Sequence, residues 1–294
     1  MRRSLIPAAA LALFAGCADG SSTGEPVTTS TSRERTTSPS TSGDAPADPA
    51  GGAVVVEVVD GDTLVVEVGG ERERLRLVGI NAPERDECLA DEATRWLRER
   101  VDGRQVELVV DRSDRDRYGR LLRYVEVDGA DVGAGLVRAG LALARRYPPD
   151  TGRADEYERL QREAEQAGIG LWAPEVCGPA LAGADVAITE VRFDADGDDN
   201  RNLDDEWVRI TNRGEVAVDL GGWVLKDTSA THRYTFPDGF VLEAGAGVTV
   251  RTGCGVDTLT DLHWCNEGSA VWNNSGDTAV LLDPSGNVVD SVDR

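Results

Sequence analysis

The chain has 294 residues, of which 40% are hydrophobic, and its 53 acidic residues outnumber its 31 basic ones to give a net charge of −22. This length suits two modest domains better than one large one, and the hydrophobic content is enough for real cores, which excludes a chain that is disordered throughout. The net charge also excludes attraction of an anionic polymer by overall charge alone.

The first 17 residues have the pattern of an export signal. Arg2 and Arg3 precede an apolar run at residues 5–15, which is too short to span a bilayer as a helix. The run ends beside Cys17 in a sequence that resembles a lipobox, whose cysteine is lipidated after cleavage, and the two arginines resemble a twin-arginine signal. We therefore expect a signal peptide with a lipobox over residues 1–17 and lipidation of Cys17.

Residues 18–52 consist almost entirely of Ser, Thr, Gly, Pro and Ala with a few charges. Such a composition cannot bury a core, so this segment is predicted to be a disordered stalk. Together with the export signal it predicts a chain that is secreted or lipid-anchored at the extracellular face of the cell membrane.

Residues 53–179 alternate short strands with helices. Strands are predicted at 54–59, 64–68, 72–77, 105–110 and 121–127. Helices are predicted at 86–100, 132–139 and 154–166. Five short strands interleaved with helices favour a small α+β barrel that carries helices.

The residue types in this region limit the chemistry that it can perform. Both histidines of the chain, His232 and His263, lie outside it, and no Ser-centred nucleophile elbow is present. Any catalysis here must therefore use carboxylates, arginines and a metal ion.

Three separated motifs resemble the staphylococcal nuclease (thermonuclease) family. They are VDGDTL (59–64), RLVGINAPE (76–84) and DRYGR (116–120), in that order. The resemblance covers roughly residues 53–173. It implies an OB-fold barrel with helices and Ca²⁺-dependent endonucleolytic hydrolysis of DNA and RNA.

The resemblance assigns metal ligands. It implies that Asp62 binds calcium through its carboxylate and Ala82 through its backbone carbonyl, and Asn81 stands where the family often has a second aspartate. Because an amide oxygen ligates calcium but supplies no charge, Asn81 predicts weaker or altered metal affinity, with Mg²⁺ or Mn²⁺ as alternatives. Asp60 is expected to support these ligands without touching the metal.

The resemblance also assigns catalytic and substrate-binding residues. Glu84 matches the general base for the attacking water, and Arg76 and Arg120 match the pair that clamps the phosphate and stabilises its developing charge. The positions that resemble nucleotide contacts are Arg117, Tyr118 and Tyr147.

Each of these features also has a plainer interpretation. An Asp-Gly-Asp sequence is usually just a turn, a lone arginine in an acidic domain is usually in a surface ion pair, and a proline such as Pro83 often simply ends a strand. The joint occurrence of Asp62, Arg76, Glu84 and Arg120 favours an active nuclease. The alternative is a non-catalytic nucleic-acid or cell-surface binding protein.

The basic residues are unevenly chosen, because Lys226 is the only lysine of the chain. An acidic, lysine-poor surface suits a halophile, since about 1 M salt screens charge repulsion to about 3 Å. A high-GC genome that favours arginine codons is the alternative. In such salt counterion release contributes little, so substrate binding must rest on short-range Arg–phosphate pairs and a metal ion.

Residues 184–294 lack helix signals. Short apolar alternations occur at 186–191, 207–211, 216–220, 223–225, 248–251, 278–282 and 288–292. Their spacing predicts an antiparallel β-sandwich.

Four landmarks in this region resemble a lamin-tail domain. They are EWVRITN (206–212), DLGGW (219–223), YTFP (234–237) and VWNNSGD (271–277). The resemblance implies an immunoglobulin-like sandwich with a binding or targeting role towards an unknown ligand. It implies tryptophans that anchor the core.

The acidic segment at residues 194–206 invites a calcium-loop interpretation. It fails the EF-hand pattern because Gly197 falls two positions early. We expect a solvated loop there, and we expect His232 and His263 to be structural.

Four cysteines remain after Cys17, two in each predicted domain. They are Cys88, Cys177, Cys254 and Cys265. Without a C-x-x-C pair a zinc cluster is disfavoured, and two disulfides in an oxidising compartment are predicted, with free buried thiols as the alternative. The chain is expected to be a monomer.

Overall fold

The computed structural model describes residues 52–181, 183–229, 231–266, 269–274 and 276–294. These residues belong to one compact unit. The predicted signal peptide, the lipidation site Cys17 and nearly all of the predicted stalk lie outside the described residues. We call residues 53–179 the barrel domain and residues 184–294 the sandwich domain, and these boundaries remain predictions.

The barrel domain contains eight strands among its described residues. They are β1 Ala53–Val58, β2 Thr63–Val68, β3 Glu71–Leu77, β4 Ile80–Asn81, β5 Gln105–Val109, β6 Leu121–Val127, β7 Ala130–Asp131 and β8 Leu143–Ala144. β1, β2 and β3 form an antiparallel meander, and β5 pairs with both β1 and β6. The parallel pairing of β3 with β6 closes a five-stranded barrel. The predicted OB-type barrel is thereby confirmed.

Alternation along the strands fills the barrel interior. Leu64 and Val66 of β2 are fully buried, as is Leu75 of β3. Glu67 of β2 and Arg74 of β3 are exposed. A strand turns successive side chains to opposite faces, so this sequence can place its apolar residues only in the barrel core.

Three helices pack on the barrel. They are α1 Ala90–Val101, α2 Val132–Arg138 and α3 Ala154–Ala167. The prediction that the first helix begins at residue 86 is wrong. Residues 84–89 instead form a turn in which the Glu87 N–H donates to the Glu84 carbonyl at 2.7 Å, and Leu89 takes a left-handed φ of 64° that interrupts the helix.

Short strands that sequence periodicity did not predict shape the barrel mouth. β4 and β8 pair antiparallel, with Asn81 opposite Leu143. Two-residue strands are too short to show alternation, so only the tertiary pairing defines them.

Among its described residues, the sandwich domain is all-β apart from two 3₁₀ turns. Its strands are β9 Val186–Arg192, β10 Trp207–Asn212, β11 Val218–Asp219, β12 Val224–Lys226, β13 Arg233–Thr235, β14 Val241–Leu242, β15 Gly247–Arg251, β16 Asp261–His263, β17 Thr278–Leu282 and β18 Val288–Asp293. Two four-stranded sheets have the orders β16-β15-β10-β9 and β13-β12-β17-β18. The predicted sandwich is confirmed, while β13, β14 and β16 were not predicted as strands.

Aromatic residues fill the core of the sandwich domain. Trp223 and Trp272 are buried, and Phe193 stacks on Trp272 at a centroid distance of 4.7 Å.

The acidic segment at residues 194–206 is exposed at Asp194. The expectation that this segment is a solvated loop is wrong at its end, because Glu206 is 0% exposed. The packing of β10 against the core draws that carboxyl inside.

Each domain has its own hydrophobic core, and a smaller cluster joins the two. This cluster contains Leu143 and Leu171 of the barrel domain with Val280 and Leu282 of the sandwich domain.

Within the described ranges, no helix combines the length and the apolar character needed to cross a membrane.

Candidate active site

Asp62 is the centre of the polar cluster at the barrel mouth. It lies just before β2 and is 8% exposed. Its Oδ2 accepts the Ala82 N–H at 2.9 Å and lies 2.8 Å from Arg76 Nη2, and its Oδ1 accepts the Thr63 hydroxyl at 3.1 Å. Asp60 Oδ1 accepts the Asp62 N–H at 3.1 Å, so Asp60 fixes the turn behind it.

Arg76 joins the predicted metal ligands to one another. Its Nη2 donates to Asn81 Oδ1 at 2.9 Å as well as to Asp62, and its Nη1 donates to the Leu77 carbonyl at 2.6 Å. Burial raises the pKa of the Asp62 carboxyl and lowers that of the Arg76 guanidinium, although each ion opposes the shift of the other. A single guanidinium therefore orders both oxygen donors.

Glu84 stands at the exposed rim of this cluster. Partial burial raises the pKa of its carboxyl, and the neighbouring carboxylates of Asp62, Glu87 and Asp60 raise it further. A carboxylate whose proton affinity is raised in this way is a better acceptor for a proton from water.

Two more arginines lie near Arg76. Arg120 is held by Asp116, whose Oδ2 is 2.7 Å from Arg120 Nε. The charges of Arg145 and Arg120 both help to lower the pKa of Arg76, after the larger effect of burial. The site thus concentrates three guanidinium groups in a domain that is otherwise acidic, which suits an anionic ligand.

The predicted nucleotide contacts are accessible. Tyr118 is 68% exposed, Arg117 Nη2 donates to its hydroxyl at 2.6 Å, and the Arg117 guanidinium lies 4.8 Å from its ring centroid. Tyr147 is exposed beneath Arg145, whose guanidinium lies 4.9 Å from the ring centroid. Aromatic faces of this kind can stack on bases.

The donors at the site suit a hard cation. Asp62 and Asn81 offer a carboxylate and an amide oxygen within reach of the same Arg76 atom, and the Ala82 N–H donates to Asp62, so the three residues predicted to hold the metal lie together. Ca²⁺ and Mg²⁺ prefer oxygen donors. A cation would also offset the negative charge of the crowded carboxylates of Asp60 and Glu84. No group of three or more His, Cys, Asp or Glu side chains arranged for a metal occurs in the part of the chain that the structure describes.

Both predicted cysteine pairs are close enough to bond. Cys88 is disulfide-bonded to Cys177 with a Cα–Cα distance of 5.6 Å, and Cys254 to Cys265 with one of 4.1 Å. The first bridge ties the turn after Glu84 to the end of the barrel domain.

The sandwich domain reaches the same turn. Glu87 Oε1 is ion-paired with both Lys226 and Arg233, and Glu87 Oε2 accepts the Glu84 N–H at 3.0 Å. Burial opposes ionisation of Glu87, but Lys226 and Arg233 keep the pKa of its carboxyl below the ordinary value. A cavity of about 260 Å³ lies between the domains, and Asn81, Glu87, Lys226 and Arg233 contribute to its wall.

Sequence reasoning missed Arg145, Glu87 and Lys226. Arg145 stands two residues before the predicted contact Tyr147, and Glu87 three residues after Glu84, so proximity in sequence was one available signal. Lys226 is the single lysine among 31 basic residues, and this exception was the second signal available in the sequence.

Comparison with known proteins identifies a family for each of the two domains. The family described as "Staphylococcal nuclease homologue" matches residues 74–174, and the one described as "Lamin Tail Domain" matches residues 179–294. The thermonuclease of Staphylococcus intermedius is 31% identical over 125 residues, which cover 40% of this chain and 74% of that protein. That of Staphylococcus hyicus is 30% identical over 125 residues, with the same coverage. Endonuclease YncB of Bacillus subtilis is 33% identical over 123 residues, which cover 39% of this chain and 58% of that protein.

The chain therefore belongs to the staphylococcal nuclease family, and a lamin-tail domain follows its nuclease domain. The predicted family, fold and enzyme class, that of a nuclease hydrolase, are confirmed.

Proposed function

We propose that this chain is a metal-dependent nuclease, exported and lipid-anchored, that hydrolyses phosphodiester bonds of DNA or RNA. The observation that carries the proposal is the cluster in which Arg76 joins Asp62 and Asn81 while Arg120 and Arg145 lie close by. Oxygen donors and guanidinium groups in one place match the needs of phosphoryl transfer.

Asp62, Asn81 and the Ala82 carbonyl would hold the cation, with Ca²⁺ as the metal that the family favours. When bound, the cation would polarise the phosphoryl oxygen and offset negative charge. Asp60 supports this set through its hydrogen bond to the Asp62 backbone.

Glu84 is the proposed base. Its exposed position leaves room for water, and its raised pKa gives it the proton affinity that a base needs. Its carboxylate would take the proton from the attacking water as the new P–O bond forms and the P–O bond to the leaving nucleotide oxygen breaks, and that oxygen would take a proton from solvent water.

The arginines provide the phosphate contacts. Arg76 and Arg120 would bind the equatorial oxygens through their planar forks, and Arg145 adds a third guanidinium. Arg117, Tyr118 and Tyr147 would contact the flanking nucleotides. Because this binding is short-range, it remains effective in the salt that an acidic, halophile-like surface suits.

The proposed location is the extracellular face of the cell membrane. The support is the export pattern ending at Cys17 and the disulfides Cys88–Cys177 and Cys254–Cys265, which suit an oxidising compartment. Replacement of Cys17 by Ser is expected to move the protein from the membrane fraction to the medium. The chain is proposed to act as a monomer.

Activity is tested with the full chain and single-stranded DNA or RNA in high salt, with Ca²⁺, Mg²⁺, Mn²⁺ or EDTA. Cleavage that requires a cation and is lost in Glu84→Gln is expected. Glu99→Gln is the matched control, because it removes an exposed carboxylate on α1 away from the site. Binding without cleavage under every cation would replace the nuclease by a nucleic-acid binding protein.

A further inference from the structure

The single lysine of the chain is ion-paired with the turn that carries Glu84. Lys226 lies at the end of β12 with its side chain 6% exposed, and its Nζ is paired with Glu87 Oε1. A buried ammonium is costly unless a carboxylate offsets it. The position of Lys226 is therefore explained by Glu87, a residue of the other domain.

Glu87 also contacts the backbone of Glu84, so it links Lys226 to Glu84. The second oxygen of Glu87, Oε2, accepts the Glu84 N–H at 3.0 Å, while the Glu87 N–H donates to the Glu84 carbonyl at 2.7 Å. Both backbone polar groups of Glu84 are thus held by Glu87. Lys226 and Arg233 fix the carboxylate that makes the first of these bonds.

A separate set of contacts holds the other side of the same turn. Cys88 is bonded to Cys177, and the Cys177 N–H donates to Asn287 Oδ1 at 3.0 Å. Asn287 Nδ2 also donates to the Gly178 carbonyl at 3.2 Å. The sandwich domain therefore contacts Glu87 directly, through Lys226 and Arg233, and reaches Cys88 only indirectly, through the hydrogen bond of Asn287 to its disulfide partner Cys177.

We propose that the lamin-tail domain is a working part of the nuclease site, in which Lys226 acts through Glu87 as a positioning residue for Glu84. This rests on the proposed function, in which Glu84 is the base. It gives the domain a role in catalysis beyond the binding or targeting role that its family resemblance implies.

The test compares full chains carrying Lys226→Met and Lys226→Arg with the unmodified chain. Because small displacements of a catalytic group can cost up to about a hundredfold in rate, Lys226→Met is expected to lower kcat by about tenfold with KM unchanged. Lys226→Arg restores the charge and is expected to recover most of the loss. Arg213→Met is the matched control, since it removes one exposed cation from the same domain, where Arg213 is paired with Asp185.

Amide hydrogen exchange supplies a second readout that does not depend on activity. In Lys226→Met the amides of residues 84–88 are expected to exchange about tenfold faster, with the rest of the barrel unchanged. Wild-type kcat and wild-type exchange at these residues would overturn the proposal, as would faster exchange spread evenly over both domains. If the unmodified chain cuts no nucleic acid, the proposed function fails, and the exchange at residues 84–88 alone decides whether Lys226 positions Glu84.

Discussion

Arg76 Nη2 lies 2.8 Å from Asp62 Oδ2 and 2.9 Å from Asn81 Oδ1, so one guanidinium nitrogen contacts both side chains proposed to bind the metal. The same arginine is proposed to clamp the phosphate. The cation site and the phosphate site are therefore coupled through one residue, and substitution of Arg76 should affect both in opposite directions.

Arg76→Met is expected to lower kcat by about 10²–10³-fold, the cost of removing one charge-stabilising donor from a transition state. It should also tighten Ca²⁺ binding, because it removes a positive charge that contacts the same oxygens. Isothermal titration with Ca²⁺ and a cleavage assay check the two effects. Arg72→Met, an exposed arginine of β3, is the control. Weaker Ca²⁺ binding in Arg76→Met would contradict the coupling.

Asn81→Asp is expected to tighten Ca²⁺ binding by about tenfold, because the charge count of the ligands sets the affinity of an oxygen site. The new carboxylate can still accept the hydrogen bond from Arg76. Asp60→Asn should change affinity less, since Asp60 bonds the Asp62 backbone. Calcium titration that shows equal affinity for Asn81→Asp and the unmodified chain would remove Asn81 from the ligand set.

Arg145 is expected to strengthen substrate binding. Its Nε is buried with no hydrogen-bond partner among the described residues, and its guanidinium contributes to the potential at Arg76. Arg145→Met should raise KM by about tenfold, the loss of one charge-assisted contact. Arg146→Met is the adjacent control, since Arg146 is already paired with Asp155 and Glu158. Equal kinetics for the two variants would rule out a substrate contact by Arg145.

The two disulfides should differ in what they contribute to stability. Their cysteines are separated by 89 and 11 residues, so chain entropy predicts about 4–5 kcal/mol for Cys88–Cys177 and about 3 kcal/mol for Cys254–Cys265. Denaturant unfolding of the two double Cys→Ser variants measures this. Only loss of the first bridge should also lower activity, because Cys88 adjoins the turn of Glu84. A larger loss of stability from the shorter loop would contradict the ranking.

Glu206 should make stability depend on pH. Burial, with a contribution from Asp199, raises the pKa of its carboxyl to about 7 from an ordinary 4.5. The folded chain therefore keeps a proton that the unfolded chain releases, and the free energy of unfolding falls as pH rises from about 4.5 to about 7, by about 3 kcal/mol for this group.

Glu206→Gln keeps an acceptor for the Val271 N–H and should flatten that part of the curve. Burial also raises the pKa of Asp277, to about 6, so Asp277 likewise makes the free energy of unfolding fall as pH rises. This contribution is the same in the variant and the parent and cancels when the two are compared. Urea unfolding at pH 5, 6 and 7 checks the slope. If the free energies of unfolding of the variant and the parent differ by the same amount at all three pH values, Glu206 ionises normally.

The amino-acid pattern by itself determined the elements that repeat a simple period. The five barrel strands and all three helices follow from alternation and from helical spacing, because burial of a single face is a local property of the sequence. The motifs around Asp62, Arg76 and Glu84 likewise predicted which residues would lie together, and the structure joins Asp62 to Ala82 directly and to Asn81 through Arg76.

Only the tertiary structure decided the contacts between distant segments. β4 and β8 have two residues each and show no periodicity, yet their pairing sets the position of Asn81. Leu89 is left-handed because the turn around Glu87 and Cys88 is tied to other parts of the chain, which helical propensity cannot register. Lys226 and Glu87 are separated by 139 residues, and only the packing of the two domains against each other makes Lys226 a partner of the turn that carries Glu84.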